Sequence, residues 1–306
     1  MKKQVLFQVE TPYREALDVT AYQFGGEEKS VAVVGALRGN EIQQMYTCAL
    51  LIRTLKRLEE EHRLSSACGI LVVPCVNHFS MNIGRRFWAV DNTDINRMFP
   101  GYSGGETTQR IAASLFEVIS PYQYGIQFAS FYLPGDFLPH CRMMDTGYQN
   151  LQDAADFGLP YIILRKPQPY DTTTLNYNWQ IWNTSAVSLY TKETDCVDEA
   201  TALQAVNATL RFLSKRGFLL DPPTECALPN IVQEEQLITV LSQAGGIFVR
   251  KHVPGDQVAR GEVLAEVLDT GTAEIKSQVL APAGGQVFFS HKAQLIGEHE
   301  VAFRLI

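Results

Sequence analysis

Between residues 30 and 216 two hydrophobic patterns alternate. Short continuous apolar runs at 30–37, 69–76, 124–130, 161–166 and 186–191 have the length of buried strands. Between them, apolar residues recur every three or four positions. Ile42, Met45, Tyr46, Ala49, Ile52 and Leu55 share one helical face, and 107–119 and 195–216 repeat the pattern. Strands separated by helical segments predict an α/β fold, a mostly parallel or mixed sheet with helices on both faces. The N-terminus shows a short strand-like alternation broken by Gln8, Glu10 and Pro12. Near Pro222, Pro223 and Pro229 helical periodicity stops, and the remaining C-terminal segment is short, β-rich and punctuated by glycine. There AGGIFV at 244–249 returns as AGGQVF at 283–288. Two such motifs suit a small pseudo-symmetric β-sandwich or barrel, since neither half can bury its apolar face alone. The expected division is therefore 1–228 and 229–306.

Composition narrows the function classes. Hydrophobic residues are 46% and charged residues 19% of the 306, which suits a chain with a sizeable core and not a disordered or fibrous one. The formal net charge of −7 gives no general attraction to phosphate backbones or anionic lipid, so neither nucleic acid nor membrane is an expected partner. No apolar window is long enough to span a bilayer, and the N-terminal segment lacks a signal-peptide core. Six scattered cysteines without a CxxC pair read as reduced thiols, and the expected location is cytoplasmic.

In open parallel sheets chemistry gathers beyond the carboxyl ends of the strands. The loop after the first strand carries RGNE at 38–41, and the loop after the second carries GRRF at 84–87 and DINRMFPG at 94–101. In these motifs the chain resembles the succinylglutamate desuccinylase/aspartoacylase family, zinc-dependent deacylases of the carboxypeptidase-like superfamily. The resemblance implies a deacylase domain followed by a small β-domain. Carried over residue by residue, it places Arg38 where the family has its first zinc-binding histidine and Glu41 at the second ligand. Ala129 falls at the third ligand, again a histidine in the family, and Tyr190 at the general-base glutamate. The positions that hold substrate carboxylate and carbonyl are matched by Arg86, Asn96 and Arg97.

A catalytic zinc needs three protein ligands and an open position. Only Glu41 of the three is retained, and Arg38 would set a fixed positive charge beside the cation. Unit charges about 4 Å apart interact by roughly 4 kcal/mol at an effective dielectric of about 20, and arginine cannot escape by deprotonating. The expectation is a degenerate zinc site without bound metal, in which Arg38 pairs with Glu41 or swings out to solvent. An arginine-lined pocket for a small carboxylate-bearing, acyl amino acid-like ligand would remain, because a guanidinium meets a carboxylate bidentately.

His140, in LPHCRM, reads as a pocket-lining or hydrogen-bonded loop histidine; a relocated metal site from Glu41 and His140 has no ligand spacing behind it. Asp94 reads as a brace for the Asn96–Arg97 turn, and Lys276 as a structural lysine and not a carrier arm. His252, His291 and His299 show no partner pattern. The alternatives are an active metal-dependent hydrolase of N-acyl amino acids with a divergent site, needing zinc, and an assembly protein acting through the β-module. A homo-oligomer is compatible with either.

Overall fold

The computed structural model describes residues 1–10 and 15–306; Pro12 lies outside the described residues. The chain forms two compact units. The first comprises 1–130 and 139–231, and the second 131–138 and 232–306. The division therefore falls three residues later than the sequence division. The second unit also takes 131–138, which the sequence pattern assigns to the first.

The first unit contains β1 (Lys2–Val9), β2 (Leu17–Gly25), β3 (Lys29–Ala36), α1 (Ile42–Glu60), β4 (Gly69–Cys75), α2 (His78–Met81), α3 (Thr107–Ile119) and β5 (Tyr124–Ala129). After β6 (Gly135–Phe137), which belongs to the second unit, it continues with β7 (His140–Met144), α4 (Leu151–Ala155), β8 (Tyr161–Arg165), α5 (Leu175–Ile181), β9 (Ser185–Tyr190) and α6 (Glu199–Lys215), and the division falls within β10 (Asn230–Gln233). The nine-stranded sheet runs β1-β2-β4-β3-β5-β9-β7-β8-β10. Its centre, β4-β3-β5-β9, is parallel, while β2 and β7 run antiparallel to the central strands beside them. The sheet is thus mixed.

Alternation along the central strands explains the helices on both faces. On β3, Val31 and Val33 enter one core with Leu51 and Leu55 of α1 and Ala205 and Phe212 of α6. Ala32 and Val34 enter the other with Ile111 and Leu115 of α3 and Leu175 and Trp179 of α5. A strand buried on both faces has no polar position to spare, which is why it reads as a continuous apolar run.

Several elements escape the sequence pattern, β2, α4, β7 and α5 among them. β7 (HCRMM) buries His140 and Arg142 on one face, so it carries no clean apolar signal. α5 is a single short stretch whose buried face includes Asn176, Asn178 and Gln180. His140 is consequently the first residue of a strand, not part of a loop.

The second unit is all β. β11 (Ile238–Leu241), β12 (Gly246–Arg250), β13 (Gln257–Val258), β14 (Val263–Leu268), β15 (Ile275–Leu280), β16 (Gly285–His291), β17 (Leu295–Ile296) and β18 (Val301–Leu305) form two sheets, ordered β11-β18-β16-β13 and β15-β14-β12-β17, with β6 paired to β16. The two AGG motifs open β12 and β16, one strand in each sheet. Phe248, Leu264 and Val267 from one sheet share a core with Val287, Phe303 and Leu305 from the other. Lys276 donates to the Gly245 carbonyl at 3.1 Å from its place on β15, a structural role. His252 does have partners, Asp256 at 3.3 Å and Glu262 at 3.2 Å.

Candidate functional site

The site gathers where the parallel strands end. β3 runs into Leu37-Arg38-Gly39-Asn40-Glu41 before α1 begins. The turn is tight: a Cβ on Gly39 would lie 2.2 Å from the Arg85 carbonyl oxygen and 2.6 Å from the Met81 nitrogen. Only glycine lets the two loops approach so closely, and the Gly39 N–H donates to the Arg86 carbonyl at 2.8 Å. RGNE and GRRF, 46 residues apart in sequence from Arg38 to Gly84, are thereby stitched together.

Glu41 stands at the N-cap of α1 but does not cap it. Its carboxylate turns back, with Oε2 accepting from the Leu37 and Arg38 backbone N–H groups at 2.8 and 3.0 Å. Oε1 accepts from Arg38 Nη1 at 3.0 Å and from the Ser130 hydroxyl. Glu41 is 1% exposed and Arg38 6%. Arg38 does not swing to solvent: its Nε and Nη2 reach Asp94 at 2.9–3.1 Å. Asp94 also accepts from the Asn96 N–H at 3.0 Å, so it braces the turn and closes the ion-pair network. Burial alone would lower the Arg38 pKa, but the carboxylates of Glu41 and Asp94 outweigh it and hold the guanidinium charged.

The anion-binding positions divide. Asn96 Oδ1 accepts from the Leu175 N–H at 3.1 Å, satisfying one donor at the start of α5. Arg97 donates through Nη1 to the Tyr170 carbonyl at 2.5 Å and to Asp171 at 3.3 Å, and lies over the Tyr170 ring. The buried Asp171 also takes Arg165 at 2.9 Å. Both side chains, expected to hold ligand together, thus have structural engagements. Arg86 lies over the Phe87 ring, and burial, then the charge of nearby Arg38, push its pKa below the ordinary arginine value. An anion bound beside it would reverse that penalty.

Ala129, Tyr190 and His140 lie in one row across the sheet, since Ala129 on β5 pairs with Tyr190 on β9, which pairs with His140 on β7. The His140 and Tyr190 rings stack with centroids 5.0 Å apart, and Arg142 sits over the same tyrosine. The sequence motifs bring Arg38, Glu41 and Asp94 to the right place but miss Ser130 and Asp171. No motif announces either one; their carboxylate and guanidinium partners are visible only in space.

The donor set does not fit zinc. A carboxylate has about four acceptor sites, and four donors already fill those of Glu41. Ala129 offers no ligand atom, and Arg38 offers only donors. Among the described residues, no group of three or more His, Cys, Asp or Glu side chains is placed to hold a metal ion.

The larger unit is thus an α/β fold with a parallel-centred mixed sheet and charged side chains collected beyond the strand ends. Residues 27–131 match the model of the succinylglutamate desuccinylase/aspartoacylase catalytic domain, the family that the motifs resemble. Among curated proteins it is 27% identical over 146 residues to N-alpha-acetyl-L-2,4-diaminobutyric acid deacetylase of Halomonas elongata; the match covers 45% of this chain and 41% of that relative. Among solved structures, the succinylglutamate desuccinylase/aspartoacylase of Rhodobacter sphaeroides superposes with a TM-score of 0.80 at 19% identity, over 99% of this chain and 95% of that one. The product-bound ectoine utilization protein EutE (DoeB) of Ruegeria pomeroyi gives 0.77 at 20%, over 95% and 89%. At such identities these structures speak for the fold alone. No helix among the described residues is long and apolar enough to cross a membrane.

Proposed function

We infer that this chain keeps the deacylase scaffold without zinc hydrolysis and binds a small carboxylate-bearing ligand of the acyl amino acid type. One observation carries the reading: Arg38 lies buried between Glu41 and Asp94, where its charge repels a cation and its bonds use up the carboxylate that would hold one. The curated relative, named as a deacetylase of an N-acetylated amino acid, supports the ligand class. Arg86 is the side chain assigned to the ligand carboxylate, because an anion there relieves its burial beside Arg38. Arg97, tied to Asp171 and Tyr170, serves as a second wall.

The test has two arms. Protein purified without chelator, offered zinc and dialysed, retains well under stoichiometric metal by elemental analysis. Titration calorimetry with N-acetyl-L-glutamate and N-acetyl-L-glutamine gives binding that Arg86→Ala removes. Dialysis-resistant zinc near one per chain, or unimpaired binding in Arg86→Ala, would overturn the reading.

A further inference from the structure

The sheet face beneath this site is polar. Along β5, β9 and β7, Ile126, Phe128, Val187, Leu189, Cys141 and Met143 all enter the α1/α6 core. The residues between them therefore point to the opposite face. In register they form two rows: Gln127, Ser188 and Arg142, then Ala129, Tyr190 and His140. α5 lies over this face, since a Cβ on Gly125 of β5 would come within 2.7 Å of the Trp179 ring.

Two α5 side chains one turn apart, Asn176 and Gln180, are 4% and 1% exposed. Gln180 Oε1 accepts from Thr146, just past β7, at 3.0 Å, which directs this side of the helix toward β7. Asn176, at the i−4 position, looks the same way one turn nearer the start of α5, where Asn96 holds the Leu175 N–H. Among the described residues neither the oxygen nor the nitrogen of the Asn176 amide has a hydrogen-bond partner, and neither does the Gln180 nitrogen. Leaving a buried amide unmatched is costly, and native chains rarely do so without a water or ligand to fill the place.

We propose that Asn176 and Gln180 form a specificity pocket for the far end of the ligand, and that this end is a neutral carboxamide. Asn176 presents one acceptor and one donor, and Gln180 a second donor. A carboxamide, with its own oxygen and NH2, answers all three without bringing a second buried charge. An aliphatic end leaves all three unmatched, which is how a polar pocket rejects an apolar analogue. The inference rests on the reading of Arg86 as the carboxylate holder and names the ligand's side-chain class.

N-acetyl-L-glutamine and N-acetyl-L-leucine, titrated calorimetrically against the wild-type chain, separate the two ideas. N-acetyl-L-glutamine should bind at least tenfold more tightly than N-acetyl-L-leucine. Asn176→Leu should erase that preference while leaving the melting temperature unchanged or raised, because it removes unmatched polar atoms. Equal binding of the two by the wild-type chain, both lost in Arg86→Ala, overturns the carboxamide pocket and leaves the carboxylate reading standing. A preference that survives Asn176→Leu also overturns it, and means that water alone fills the space. Binding of neither overturns both. A melting temperature several degrees lower in Asn176→Leu would mark Asn176 as a structural residue and overturn its assignment to ligand.

Discussion

The two faces of β5, β9 and β7 are made from the same stretches of chain, one position apart, and they do opposite things. One face is Ile126, Phe128, Val187, Leu189, Cys141 and Met143, closed by α1 and α6. The other is Gln127, Ser188, Arg142, Tyr190 and His140, on the side of the sheet that α5 covers. Apolar burial, at about 25 cal/mol per Å2, holds the strands in place. Over the polar face, the α5 side chains Asn176 and Gln180 carry unmatched polar atoms that an optimised core would lack. Period-two alternation thus lets a single strand supply scaffold and site together.

The sharpest way to break the comparison is to truncate one side chain on each face. Phe128→Ala on the apolar face should cost about 3–5 kcal/mol through lost burial and the cavity left behind. Ser188→Ala, on the neighbouring strand's other face, should stay within about 1 kcal/mol. Urea unfolding measures both, and equal losses would show that the polar face is structural.

Next in size is the ion-pair network. Arg38→Met leaves Glu41 buried without its countercharge and should lower stability by about 3 kcal/mol, in line with other broken buried pairs. Asp94→Asn keeps Glu41 paired with Arg38 and should cost less than half as much. If Arg38→Met unfolds no more easily than wild type, the guanidinium does not neutralise the site.

Arg86→Ala should leave the unfolding midpoint within about 1 kcal/mol of wild type and weaken N-acetyl-L-glutamate binding at least tenfold, which is about 1.4 kcal/mol. Loss of binding without loss of stability is what separates a site residue from a scaffold residue.

Much of this arrangement is legible in the sequence. The apolar runs locate β3, β4, β5, β8 and β9, and helical spacing locates α1, α3 and most of α6, because burial on both faces or on one stripe writes itself into periodicity. RGNE and DINRMFPG locate Arg38, Glu41 and Asp94, because each motif is local. Several elements carry no such signature, β2 and α4 among them. β7 hides its strand character behind the buried His140 and Arg142, α5 hides its helix behind Asn176 and Gln180, and 131–138 reads as a continuation of the first unit although β6 pairs with β16. In each case a long-range partner decides the structure, and sequence spacing does not encode it. The engagement of Asn96 with Leu175 and of Arg97 with Asp171 has the same origin.

The smallest expected effect tests the site side of the comparison through pH. His78 begins α2, in the loop that also carries Arg86 and Asp94, and burial lowers its pKa below 6.5 despite the charge of Asp18. The folded chain therefore holds this proton less tightly than the unfolded chain. Where the unfolded state binds more protons, stability rises with pH. The His78 contribution is accordingly fully present above about pH 6.5 and is lost as pH falls through that value toward the lower folded pKa. His291, lowered by burial in the second unit, adds a loss of the same sign there. His78→Gln should flatten the decline in unfolding free energy between pH 7 and pH 5 while leaving stability above pH 7 nearly unchanged. An unchanged slope in His78→Gln would mean that the loop opens locally and hydrates the imidazole before the sheet unfolds, and that the site side is held less firmly than its ion pairs imply.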